Sequence, residues 1–117
     1  MRKLAAVTLL LSLIACNAQP SPDEQRETTE RAAMTPLKDH YPDVVMGFDF
    51  HGNSVDVSVD VNSENDMDDS KDAAMKAEAL RRWRSAWMQT HPGAHGTLTV
   101  RILDFRGTVY WKGTIRA

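Results

Sequence analysis

The chain has 117 residues, 14 Lys and Arg against 16 Asp and Glu, and one cysteine. That length holds one small core with flanking segments rather than two domains. The lone cysteine excludes an intramolecular disulfide, and the acidic excess argues against general nucleic-acid binding.

Met1-Arg2-Lys3 is a positive start, Leu4 to Ile14 is an apolar run, and Leu13-Ile14-Ala15-Cys16 places a small residue before the cysteine. This is the layout of a cleavable export signal. The run is too short to cross a bilayer, which takes about 20 apolar residues, and polar Asn17-Ala18-Gln19-Pro20-Ser21 follows at once. The segment resembles the lipobox of bacterial lipoproteins, and the resemblance covers residues 1–17 only. It implies removal of residues 1–15 and acylation of Cys16 as a membrane anchor. Several acyl chains hold stably where one is marginal, because each buried methylene contributes about 0.8 kcal/mol. In that family an aspartate after the cysteine favours inner-membrane retention. Asn17 stands here, so the resemblance implies the periplasmic face of the outer membrane. Residues 16–21 are then anchor and tether, and 22–117 one small domain.

Without Arg2 and Lys3 the 14 bases become 12 against 16 acids, a formal charge of −4. Residues 43–72 hold nine acids and one base, whereas residues 73–117 hold eight bases and two acids. Such segregation predicts that the two halves face each other, or that a charged surface awaits a partner.

Ser21-Pro22-Asp23-Glu24 predicts a helix start, with Ser as N-cap, Pro at the first position and Glu three residues after the cap. From Asp23 to Arg31 there is no large apolar residue, so a mobile or surface-laid helix is expected, broken or kinked at Pro36. Val44, Met46, Phe48 and Phe50, then Val55, Val57, Val59 and Val61 about Gly52-Asn53, predict a β-hairpin. A two-residue loop would pair Phe50 with Val55, Phe48 with Val57, Met46 with Val59 and Val44 with Val61. An acidic loop follows from Asn62 to Asp68. A helix from Asp69 or Ser70 to about Thr90 has acids early and arginines late, in keeping with its macrodipole. Its expected core arc is Ala73, Ala77, Leu80, Trp83, Trp87 and Met88, and Pro92-Gly93 ends it. A second hairpin about Arg106-Gly107 would pair Ile102 with Trp111, Val100 with Gly113 and Leu98 with Ile115, with a bulge near Asp104 altering its tip. Gly113 would leave room for a bulky neighbour. The expected fold is α+β, in the order α-ββ-α-ββ, a four-stranded antiparallel sheet with the Trp-bearing helix across one face.

On the sheet face away from that helix, Asp49 would oppose Asp56 with Asp60 nearby, and Arg101 would oppose Lys112 with Arg116 further along. Like charges directly opposed are unfavourable. The clusters therefore either neutralise each other across adjoining hairpins, or one stays open for an oppositely charged partner. Trp83, at the edge of its arc, is the tryptophan expected to be partly accessible. Leu103, Phe105 and Tyr110 form a second candidate patch, since contiguous exposed apolar groups mark partner sites.

Calcium could be held by Asp49, Asp56 and Asp60, or by Asn62, Glu64, Asn65, Asp66, Asp68 and Asp69, but the spacing and central glycine of an EF-hand are missing. His51, Ser54 and the nearby aspartates have the members of a nucleophilic triad without an oxyanion site or a pocket. His91 and His95, separated by Pro92-Gly93-Ala94, are too few for zinc. No glycine-rich phosphate loop, nucleophile elbow or HExxH is present. The reading is a non-catalytic, lipid-anchored periplasmic module without cofactor or metal. Its partner would be a protein, as for an immunity protein against a periplasm-acting toxin or an envelope-assembly accessory. The alternative is a sensor or carrier of calcium or a small cationic ligand at the 62–69 loop.

Overall fold

A computed structural model describes residues 20–117; the signal segment and the expected anchor Cys16 lie outside the described residues. Seven elements follow in order: α1 (Pro22–His40), β1 (Val45–His51), β2 (Ser54–Val59), α2 (Val61–Asn65), α3 (Asp69–Thr90), β3 (Thr97–Leu103) and β4 (Val109–Arg116). The α+β class and the element order are those expected, with the short α2 added inside the acidic loop.

The start of α1 is built as its sequence dictates. Ser21 Oγ accepts from the Glu24 amide at 3.2 Å, and Pro22 opens the helix. The helix nevertheless runs through Pro36 to His40. It is surface-laid over Asp23 to Thr29, yet Glu30, Met34 and Leu37 are buried against the rest of the molecule. Burying Met34 and Leu37 contributes about 1.5–3 kcal/mol each, which favours the surface-laid helix over the mobile one, and the expected break at the proline does not occur. Glu78 on α3 fastens its last turn by pairing with His40 Nδ1 at 2.8 Å and with Arg82 Nε at 2.7 Å.

The strands lie in the order β1-β2-β3-β4. The two hairpins are antiparallel, but β2 and β3 run parallel. Here the expected all-antiparallel sheet needs correcting: α3, about 33 Å long at 1.5 Å per residue, carries the chain back to the end where β2 began, so the next strand starts there too.

The β3·β4 register is the expected one from Leu98↔Ile115 to Ile102↔Trp111, and it shifts between Ile102 and Leu103, where Leu103 meets Val109. In β1·β2 the pairs Phe50↔Val55 and Phe48↔Val57 hold, and Gly52, at φ 60°, is the first central residue of the two-residue turn. Beyond Gly47 the register shifts: Val45, not Met46, pairs with Val59, and Val61 belongs to α2. This β-bulge turns Val45 into the core and leaves Met46 exposed.

Both helices pack on one face of the sheet. The stripe of α3 that is buried is Met75, Ala79, Trp83, Ala86 and Trp87. Ala73, Ala77 and Met88 of the expected arc are exposed and Leu80 is half-buried, because α3 must fill the sheet and α1 together. Trp83 has no exposed surface, correcting the expectation of an accessible ring. Its Nε1 donates to the Asn53 carbonyl at 3.0 Å, which also accepts from the Thr99 amide at 3.0 Å. The Trp111 ring folds over Gly113, filling the space a Cβ would need, with Lys76 Nζ 5.5 Å from its centroid.

Candidate functional site

With α1 and α3 on one side, the other face of the sheet carries no element of the described chain. Strand alternation places three rows across it. His51, Ser54, Thr99 and Thr114 form one row, Asp49, Asp56, Arg101 and Lys112 the next, and Gly47, Ser58, Leu103 and Val109 the third. The middle row passes from two acids to two bases across the four strands.

The centre of that row is closed. Arg101 reaches Asp56 with two parallel hydrogen bonds of 2.7 Å, Nε to Oδ1 and Nη2 to Oδ2. His51 Nε2 lies 3.3 Å from Asp56 Oδ2, and Asp56 is buried beneath these side chains. The hydrogen bonds to Asp56 raise the Arg101 pKa above its ordinary value. The two charge clusters therefore meet across the adjoining hairpins. The outer members, Asp49 and Lys112, make no ion pair among the described residues and stand as opposite charges on the two edge strands.

Asp60 lies elsewhere than expected. It is the N-cap of α2, its Oδ1 accepting from the Ser63 amide at 3.2 Å. In the same way Asp68 caps α3, accepting from the Lys71 amide at 2.7 Å. Two carboxylates of the acidic segment thus serve helix starts. Asp72 Oδ2 accepts from Lys76 Nζ at 2.6 Å; burial and the neighbouring Asp72 raise the Glu64 pKa, while for Asp72 burial is outweighed by Lys76 and Glu64 and the pKa is lowered. Among the described residues no group of three or more His, Cys, Asp or Glu is placed to hold a metal ion. No helix there is long and apolar enough to cross a membrane.

At one end of the open face the β3–β4 loop is organised by a residue that sequence reasoning noticed only as a bulge position. Asp104 is buried. Its Oδ1 accepts from the Arg106 amide at 2.8 Å and the Thr108 amide at 3.0 Å, and its Oδ2 accepts from the Tyr110 hydroxyl at 3.1 Å. Burial opposes its charge, but the Thr108, Tyr110 and Arg106 bonds hold its pKa below the ordinary value. An Asp followed two residues later by Arg-Gly is the signal that could have shown this turn. The loop holds Phe105 outward, 85% exposed, beside Tyr110 at 52%, while Leu103 is buried outside the main core cluster. Across from it the bulge presents Met46, 56% exposed. Met46 and Phe105 flank a depression of about 320 Å³ whose other walls are Ser58, Val59, Asp60, Val61 and Asn62.

A different polar group is enclosed between α1 and the β1–β2 turn. Glu30 is buried and its Oε2 finds no hydrogen-bond partner among the described residues; burial, offset in part by His91 and Arg26, raises its pKa. His91 caps the end of α3 and stacks on Trp87 with centroids 4.4 Å apart. His95 stands apart from it, 3.4 Å from the Ala117 carbonyl through Nδ1.

No family model matches the chain, and no curated protein or solved structure is significantly similar to it.

Proposed function

We propose that the chain is a non-catalytic, lipid-anchored module that binds another protein at the periplasmic face of the outer membrane. It serves there as an inhibitor of a periplasm-acting toxin or as an envelope-assembly accessory. The observation that carries this reading is the open face of the sheet, on which the Asp49–Asp56–Arg101–Lys112 row is closed at its centre and charged at both ends. Oppositely charged edges orient a partner and speed its encounter, and the Met46, Phe105 and Tyr110 side chains beside them supply apolar contact. At the centre of the face Asp56 and Arg101 satisfy each other rather than converging on a cavity, which suits docking better than catalysis. The lipobox resemblance supports the address.

Two experiments test it. Metabolic labelling with an alkyne fatty acid should mark the full-length protein, and Cys16→Ser should lose both the label and the membrane fraction. A photo-crosslinking residue at Thr99 or Thr114 should yield one discrete protein adduct in the cells of origin, weakened by Asp49→Lys or Lys112→Glu. The same probe at Thr28, on exposed α1, should not. No protein adduct from either sheet position would overturn the binding reading.

A further inference from the structure

The Met46–Phe105 end of the sheet has a chemistry of its own. Large apolar groups that stay exposed forgo about 1.5–3 kcal/mol each, and here three backbone devices keep them out: the bulge after Val45, the register shift after Ile102, and the loop fixed by Asp104. Side chains held in this way lose little further freedom on binding.

The surroundings of the patch choose among occupants. Asp60 lines the depression itself; Asp43, Asp66 and Asp68 line, with Lys71, a second depression among the segments that join β1, α2 and α3 at this end, Glu64 lies in α2 between them, and the Arg106 guanidinium stands 5.6 Å from the Phe105 ring centroid. An anionic lipid surface is repelled by such an excess of acids at this end. A second copy would bring the same acids to the contact. The chain direction adds to this. α1 runs from Pro22 toward β1, which returns to Gly52, and β3 starts beside Asn53, so Pro20 and the β1–β2 turn share one end while Phe105 lies at the other. An anchor at Cys16 would therefore join the domain at the end remote from Phe105.

We propose that the Met46–Phe105 depression, with the acidic segments of the β1, α2 and α3 junctions at the same end, takes a cationic segment of a partner protein that inserts one apolar side chain between these two residues. This rests on the protein-binding reading and names the chemistry of its partner. Met46 and Phe105 provide the pocket walls, Val59 and Val61 the floor, and the acids of the β1, α2 and α3 junctions draw the flanking Lys or Arg residues.

The test uses the full-length lipoprotein in phosphatidylcholine nanodiscs and dye-labelled synthetic peptides followed by fluorescence anisotropy, with empty nanodiscs as blank. One peptide carries Leu-Phe-Leu between lysine runs, a second the same centre between glutamates, and a third Ser-Ser-Ser between lysines. The first should bind, at least about tenfold more tightly than the others, and weaken several-fold between about 50 and about 300 mM salt. Phe105→Ser and Met46→Ser, each checked for an unchanged near-UV spectrum, should lower its affinity about tenfold, while Lys112→Glu should leave it within about twofold. Equal binding of the glutamate peptide, no binding of any peptide, or indifference to both tip substitutions would overturn the proposal. So would Phe105-dependent binding to phosphatidylglycerol vesicles, or a Phe105-dependent dimer in sedimentation, either of which would put a different occupant there. A persistent adduct at Thr99 alongside such a failure would leave the broader binding reading standing.

Discussion

Arg101 and Asp56 face each other across the parallel β2·β3 pairing and join the two hairpins by a two-point hydrogen bond of 2.7 Å at each contact. Planar guanidinium and carboxylate groups meet in this way with fixed geometry, so the pair sets the relative position of the hairpins as well as neutralising the centre of the open face. Removing one member strands the other. Arg101→Ala should lower the melting temperature more than Lys112→Ala, which breaks no ion pair. The double substitution Asp56→Ala/Arg101→Ala should lose less than the sum of its single changes in a thermal-denaturation cycle. Additive losses would show that the pair does not act as a unit.

Trp83 joins α3 to the β1–β2 turn through Asn53, and its ring lies 5.8 Å from that of Phe50. Trp83→Phe keeps the bulk and drops the hydrogen bond, an expected cost of about 1–3 kcal/mol. Trp83→Ala also opens a cavity and should cost about 3–5 kcal/mol. Urea denaturation measures both, and the long-wavelength emission of the folded protein should remain after Trp83→Phe, because the buried indole emits at the blue edge.

Gly113 is occupied in space by its own strand neighbour. A methyl group there collides with the Trp111 ring, which must then swing off the sheet and leave Lys76. Gly113→Ala should cost about 1–3 kcal/mol and shift Trp111 emission to the red. If stability and spectrum both stay unchanged, the ring does not rest there.

Sequence made both hairpins plain because strict alternation about Gly52 and Gly107 allows few registers. It could not place the bulge at Met46, since Val44-Val45-Met46 offers an apolar residue to either face, and only the fit of Val45 under the helices decides. The expected α3 arc differs from the buried stripe for a similar reason: alanines occur all round the helix, so periodicity puts Trp83 and Trp87 on the arc but shows neither the stripe beside them nor that Trp83, at the arc's edge, is fully covered. Of the candidate surface, the pairs Asp49 with Asp56 and Arg101 with Lys112 are readable from hairpin register alone. The closure of the row's centre is not, because it depends on the order and direction of the hairpins.

Asp60 and Asp68 give a test of structural against surface roles. Asp60→Ala and Asp68→Ala each remove a capping acceptor and should cost about 1 kcal/mol, read by thermal denaturation, while Asp66→Ala should be nearly silent, because Asp66 ends α2 through its backbone N–H, which the substitution keeps. Equal effects at the three positions would show that general charge, not capping, governs this segment.

Glu30 gives a pH dependence of fixed sign. Burial raises its pKa in the fold above the ordinary 4.5, so the folded chain favours the protonated form. Its contribution is fully present below the unfolded pKa and is lost as pH rises through the higher folded value. Above the unfolded value the buried carboxyl therefore costs stability, and Glu30→Gln should raise the melting temperature at neutral pH, with the gain shrinking as the pH falls below the ordinary 4.5. A variant less stable at pH 7 would mean that the charge has a partner.

The parallel pairing of β2 with β3 also has a temporal meaning. Each hairpin can zip from its own turn using neighbours close in sequence, on the order of microseconds. The central pair must wait for the whole of α2 and α3 to be threaded between its strands, a loop-closure cost that only non-local contacts repay. Folding should therefore reach its rate-limiting step with two formed hairpins and a nascent α3. The contact between Asp56 and Arg101 would be among the last made, so substitutions there should speed unfolding while scarcely slowing refolding.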